Sequence, residues 1–297
     1  RAVAENIDSL GDIDGFAFGF PCNDFSLVGE HKGLDGDFGG LYKTGVRVLE
    51  AKRPKWFVAE NVGGIRSANG GRAFQVILEE LKDAGYRITP HLYRFEQYGV
   101  PQARHRVLVV GVREDLDVEY AVPAPTHGPG TGYAFVTSGE VVAAPMDASV
   151  TNNERTRQSR QVVERLELID PGENAFNAKR MTDQARLNVR GATISQIYRR
   201  LDPAKPSYTV TGSGGGGTHV YHWDEPRALT NRERARLQTF PDTFHFEGRR
   251  DSIRKQVGMA VPPLGAQAVF TALFRSLLGI PYESIAPTLT TARDSSS

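Results

Sequence analysis

Phe16-Ala17-Phe18-Gly19-Phe20-Pro21-Cys22-Asn23-Asp24-Phe25-Ser26 begins as a short apolar run with the character of a strand and then breaks into a polar, turn-forming loop. Pro21 stiffens the backbone just ahead of the thiol, and the Asn-Asp pair after it ends the extended run. Ligands of open parallel sheets sit beyond the carboxyl ends of the strands, so Cys22 falls where a side chain can face one. It is the only cysteine in 297 residues. A lone cysteine is more often a small buried hydrophobe than a catalyst, and the loop around it is what brings a nucleophile into contention.

The same pattern recurs downstream. Leu41 to Ala51 has helical spacing, with Leu41, Val46, Val48 and Leu49 among polar residues, and Pro54 closes it. Trp56-Phe57-Val58-Ala59 is a fully apolar strand that runs into Glu60-Asn61-Val62-Gly63-Gly64, placing a carboxylate at the carboxyl end of a second strand. Ala73, Val76, Ile77, Leu78 and Leu81 mark an amphipathic helix ending at Gly85. Arg87 to Phe95 and Val107 to Val112 follow as strands, the latter preceded by Gln102-Ala103-Arg104-His105-Arg106. Strands alternating with such helices predict an α/β fold with a mostly parallel sheet covered on both faces.

Composition sets the frame. With 39% hydrophobic and 24% charged residues, the chain has the make-up of an ordinary globular protein, long enough for one large domain and a smaller one. No apolar run approaches the roughly 20 residues of a membrane span, no signal peptide is visible and no internal disulfide is possible, so a cytoplasmic location and no membrane partner are expected. No metal is expected either. The net charge of +1 says nothing about partners, but residues 154–200 carry ten Lys/Arg against six Asp/Glu. That local excess suits either nucleic acid or a solvated surface. Residues 27–40 hold five glycines, which suits a lid over a substrate or a plain surface loop.

Singly, Glu60 could be a capping or solvated acid, and Arg104 and Arg106 could be surface charges. Together and in this order they resemble one family, the DNA cytosine-5 methyltransferases. The resemblance rests on Pro21-Cys22-Asn23-Asp24-Phe25-Ser26, Glu60-Asn61-Val62 and Gln102-Ala103-Arg104-His105-Arg106. It continues in the Arg227 to Pro241 stretch, which contains Thr230-Asn231-Arg232-Glu233, and in Gln256-Val257-Gly258-Met259-Ala260-Val261-Pro262-Pro263, so that it spans nearly the whole chain.

The resemblance implies a Rossmann-like sheet of the class I methyltransferase type and a smaller, irregular target-recognition domain. It implies a methyl transfer from S-adenosylmethionine to carbon 5 of cytosine in double-stranded DNA, within bacterial restriction-modification. Carbon 5 is a poor nucleophile, so the Cys22 thiolate would first add to carbon 6 and make carbon 5 enamine-like. Glu60 would protonate or hydrogen-bond N3, Arg106 would hold O2, and Arg104 would lie near the thiol and favour its ionised form. No side chain reaches carbon 6 inside a stacked duplex, so the cytosine must be flipped out, with the glycine-rich 29–40 segment closing over it.

The resemblance also distributes the other contacts. Pro21, Leu41, Ala260 and Val261 would touch the cofactor; Ser26, Gln102, Thr209, Thr211, Gly214 and Gly215 would touch DNA. Thr209-Val210-Thr211-Gly212-Ser213-Gly214-Gly215-Gly216-Gly217 looks like the family's recognition-domain segment, where backbone without side chains can lie close to phosphates. The expected division is a catalytic part over 1–113, a target-recognition part over 114–226, and a return over 227–297. A capping box at Thr230 predicts a helix to about Phe240, with further helices over Asp251 to Val257 and Gly265 to Leu278, and an unstructured tail over 292–297.

Two departures stand out. The family's Phe-and-Gly cofactor loop is not found in residues 1–14, so an upstream segment or a separate subunit is expected to complete the cofactor site. Met259 stands where the family usually has asparagine. Two other readings remain at this level: a non-catalytic DNA-binding subunit on a methyltransferase scaffold, and a tRNA cytosine-5 methyltransferase.

Overall fold

A computed structural model of the 297-residue chain describes residues 6–20, 42–62, 64–65, 71–187, 195–212, 214 and 217–289. The glycine-rich 29–40 segment and the 292–297 tail lie outside the described residues. Two compact units emerge. The first comprises residues 1–94, 105–124 and 268–297; the second comprises 95–104 and 125–267.

The first unit is built on β1 (Gly15–Gly19), β2 (Trp56–Val62), β3 (Tyr86–Arg94) and β5 (His105–Arg113). Their order in the sheet is β1-β2-β5-β3. β1 and β2 run parallel, whereas β5 runs antiparallel to both β2 and β3. Three of the four strands thus share a direction, as the alternation predicts, and the fourth is inserted against them. That reversal follows from the connection: no α-helix separates β3 from β5, so the chain returns beside β3 in the opposite sense instead of crossing over to a parallel position.

Period-2 alternation gives each face its cover. Phe57, Ala59, Val107 and Val109 turn to one side, where α1 (Tyr42–Lys52) and α2 (Arg72–Asp83) add Tyr42, Val46, Leu49, Phe74, Ile77, Leu78 and Leu81 to a single core. On the other side, Trp56 meets Phe270 and Phe274 edge-on, at 5.5 and 5.7 Å between ring centroids. These two rings belong to α7 (Pro263–Leu277). A short antiparallel pair, β6 (Val122–Pro123) with β8 (Ser284–Ile285), ties the carboxyl-terminal segment to the same unit.

The second unit has little regular structure. It holds β4 (Gln102–Ala103) paired in parallel with β7 (Ser207–Tyr208), and the helices α3 (Ser138–Val142), α4 (Arg160–Glu167), α5 (Asn231–Leu237) and α6 (Arg250–Met259). One of its cores gathers Leu201, Val210, Val220, Leu229, Leu237, Phe246, Ile253 and Val257. The expected boundaries at 113 and 226 therefore differ from the observed ones. Residues 95–104 join the second unit because β4 pairs with β7, and α5 and α6 join it because Leu237, Ile253 and Val257 pack into this core.

An 18-residue window within 250–277 reaches a mean hydropathy of 1.5, the one stretch among the described residues long and apolar enough to cross a membrane. Pro262 and Pro263 divide it into α6 and α7, and Trp56, Val269, Ala272 and Leu273 show the apolar face of α7 turned to protein.

Candidate active site

Glu60 and Arg106 stand on neighbouring antiparallel strands. Val62 is opposite Arg106 and Glu60 is opposite Leu108, so the two charged residues share a sheet face on a diagonal that long side chains can span. Arg106 Nε donates to Glu60 Oε1 at 2.9 Å, with 13% of the arginine side chain and 24% of the glutamate side chain exposed. The arginine also donates from Nη1 to the carbonyl of His105 at 2.8 Å. Partial burial and two directed bonds fix where the carboxylate points while leaving it open to solvent on one side.

The carboxyl end of β1 reaches the same place. Gly19 is the register partner of Glu60, and a Cβ on Gly19 would lie 3.3 Å from Glu60 Oε2. Buried Asn61 donates from Nδ2 to the carbonyl of Phe20 at 3.1 Å, and its Oδ1 accepts from the amide of Val62 at 2.7 Å. Asn61 therefore clamps the end of β1 against β2, a role its motif did not announce. An amide placed directly after an acid at a strand end was the available signal. Cys22 itself, with Pro21, Ser26, Leu41 and Gly215, lies outside the described residues.

Three of the expected residues make contacts inside the second unit. Gln102, expected at DNA, is fully buried: its Nε2 donates to the carbonyl of Leu237 and to Gln238 Oε1, and its Oε1 accepts from the amide of Val210. Thr209, also expected at DNA, donates its hydroxyl to the carbonyl of Ala103 at 2.7 Å. Arg104, expected beside the thiol, is 0% exposed and donates to the carbonyls of Val210 at 3.1 Å and Gly258 at 2.9 Å. All three make internal ties of the second unit, Gln102 and Arg104 from fully buried side chains and Thr209 from a half-buried one. They lock β4 to the segment after β7 and to the end of α6. Gly258 is required there, since a Cβ would run into the backbone of Thr211 and Gly212.

The remaining expected residues lie in the second unit. Thr211 and Gly214 are half-buried, and so are Ala260 and Val261, while Met259 is 75% exposed. At 259–261 the chain presents aliphatic groups and a thioether, with no donor or acceptor side chain suited to a zwitterionic amino acid or a purine. These described positions do not by themselves fit S-adenosylmethionine. Among the described residues no group of three or more His, Cys, Asp and Glu is arranged to hold a metal ion.

The profile of C-5 cytosine-specific DNA methylases matches residues 2–275. Type II methyltransferase M.BbvI of Brevibacillus brevis is 55% identical over 94% of this chain and 74% of its own length. Type II methyltransferase M.NgoFVII of Neisseria gonorrhoeae is 44% identical over 89% of this chain and 70% of its own. In solved structures, a prophage-encoded protein of E. coli assigned to the DNA modification methyltransferases superposes with a TM-score of 0.68 at 22% identity, over 93% of this chain and 83% of that one. The methyltransferase EhMeth of Entamoeba histolytica gives 0.54 at 15% identity, over 93% and 80%. These two likenesses speak for the fold, and the first two, with the family profile, for the lineage: the chain belongs to the C-5 cytosine-specific DNA methylases.

Proposed function

We propose that this protein is the modification enzyme of a type II restriction-modification system, methylating carbon 5 of a cytosine within a defined sequence of double-stranded DNA. The observation that carries the chemistry is the Arg106 to Glu60 pair at 2.9 Å, on a sheet face shared with the end of the strand that leads to Cys22.

In this reading the Cys22 sulfur adds to carbon 6 of an extruded cytosine, and electron density moves through the ring toward N3. Glu60 meets that density with a proton or hydrogen bond at N3, and Arg106 meets O2 while holding the carboxylate at its diagonal. Carbon 5, now enamine-like, takes the methyl group; loss of its proton then expels the thiol. S-adenosylmethionine is the methyl donor we infer from family membership. Pro21 and Leu41 are assigned to it on the same ground, with Ala260 and Val261 at most on its edge. Arg104 acts at a distance, as a positioning residue that holds the 209–212 segment in place. Thr211 and the glycines after it are the part of that segment left to meet DNA, together with Ser26.

Duplex DNA containing 5-fluorocytosine separates this reading from a binding-only protein. With S-adenosylmethionine it should yield a covalent adduct stable to denaturation, which Cys22→Ser cannot form, and unmodified duplex should acquire 5-methylcytosine detectable by mass spectrometry. Absence of both adduct and methylated base in the wild-type protein overturns the assignment.

A further inference from the structure

A second cluster of cations, unrelated to the Glu60 carboxylate, lies beneath Gly212 and Gly214 of the second unit. Arg234 on α5 is 1% exposed, and its Nη2 stands 3.3 Å from His219 Nδ1 while Nη1 reaches toward the carbonyl of Thr211 at 3.5 Å. Arg254 on α6 is 13% exposed at its side chain and has one carboxylate partner, Asp251, at 2.7 Å. Asp251 is 82% exposed, so solvent weakens that pair. Arg254 Nε is buried and has no hydrogen-bond partner among the described residues. Glu233, the other nearby acid, is already held by two bonds from Arg227.

His219 does not offset these charges. Burial first, and then Arg234 and Arg254, lower its pKa to about 4, so it is neutral at ordinary pH. Arg234 is itself pushed down to about 10 by burial, with Arg254 the next cause. Two guanidiniums thus share a largely desolvated place against a single, water-exposed carboxylate, an arrangement that an anion would stabilise.

The backbone above the cluster is shaped for close approach. A Cβ at Gly214 would lie 2.5 Å from Arg254 Nε and 2.8 Å from His219 Cε1, so glycine lets the chain lie on the guanidinium in its present place, and any larger residue would push that side chain aside. Gly212 rests on Lys255 in the same way, with its Cβ position 3.1 Å from Lys255 Cα.

We propose that Arg254, supported from below by Arg234 and covered by Gly214, is a binding site for a phosphate of the DNA backbone, reached when Arg254 exchanges Asp251 for the phosphodiester. The proposal rests on the DNA methyltransferase reading and adds to it the cation that anchors the recognition segment. The chemistry is a fork-shaped guanidinium on an anion, which contributes affinity and register without reading sequence.

The test is binding of the full chain to a fluorescent mixed-sequence duplex, measured by anisotropy over a range of KCl concentrations. Arg254→Gln should bind about tenfold more weakly and lower the slope of log Kd against log salt by about one, whereas Arg254→Lys should keep the slope. Should Arg254→Gln lose the native circular dichroism spectrum, Gly214→Ala, which displaces the guanidinium by contact, should lower the slope in its place. Wild-type slope and affinity in a folded Arg254→Gln or Gly214→Ala protein overturn the phosphate site and leave the enzyme reading intact. A wild-type protein with no salt-dependent affinity for duplex overturns the DNA reading itself, and the site with it.

Discussion

Glu60 and Arg106 are two residues out of register across β2 and β5, and the guanidinium closes that diagonal by a single Nε bond. Lysine at 106 would keep the charge but present one mobile ammonium in place of a planar fork, losing the hold on the carboxylate and on O2 together. Arg106→Lys should therefore lower single-turnover methylation on the order of 100-fold, with Kd for duplex within a factor of three or so, because the loss falls on the reacting base. Gly19 gives a finer probe. A methyl there would crowd Glu60 Oε2 at 3.3 Å, so Gly19→Ala should slow methylation roughly tenfold while thermal melting stays close to wild type. At this scale the sequence showed which residue types matter but not where they go. Gln102, Arg104 and Arg106 sit at every second position of one motif, yet the chain passes between units after Arg104, burying the first two as ties and leaving the third beside Glu60. Nothing local in the motif marks that break.

Elements with strong local chemistry were the legible ones. α5 begins where the capping box predicts: the Thr230 hydroxyl accepts from the Glu233 amide at 3.1 Å and Glu233 Oε2 accepts from the Thr230 amide at 2.7 Å. Thr230 also donates to Asn153 Oδ1 at 2.8 Å, in a setting only 3% exposed. Thr230→Ala removes the cap at a buried position, so it should destabilise the protein by about 1 kcal/mol in urea unfolding, and Thr230→Ser should recover most of the loss. β2, α2, α6 and α7 were legible for the same reason, each carrying its own periodicity. α3 and α4 were not, although Thr137 and Ser159 cap them, because five and eight residues are too few for a helical period to stand out. The antiparallel insertion of β5 was hidden as well, since strand direction depends on a partner and an apolar run such as Val107 to Val112 fits either sense.

At the scale of the whole chain, each unit carries a neutral histidine whose pKa is lowered by desolvation, and these tie stability to pH. In the first unit His91 is 4% exposed, its Nδ1 accepts from the Thr288 amide at 3.1 Å, and burial lowers its pKa to about 4. In the second unit His219 is lowered to about 4 by burial and by its arginine neighbours. A histidine whose folded pKa lies below its unfolded value near 6.5 binds fewer protons folded than unfolded between those two values. Its contribution is fully present above about pH 6.5 and drains away as pH falls toward 4. Between pH 7.5 and 5.5 the loss at His91 alone should be about 1 kcal/mol, with His219 adding a loss of the same sign. Urea unfolding at the two pH values should show the drop, and His91→Gln should be less stable at pH 7.5 but lose less on acidification. A slope unchanged by His91→Gln would mean that other groups set the acid limit. The two histidines are separable by ligand: if a phosphate settles on Arg254, its charge next to His219 favours the protonated ring, so DNA should flatten the His219 share of the acid loss and leave the His91 share untouched.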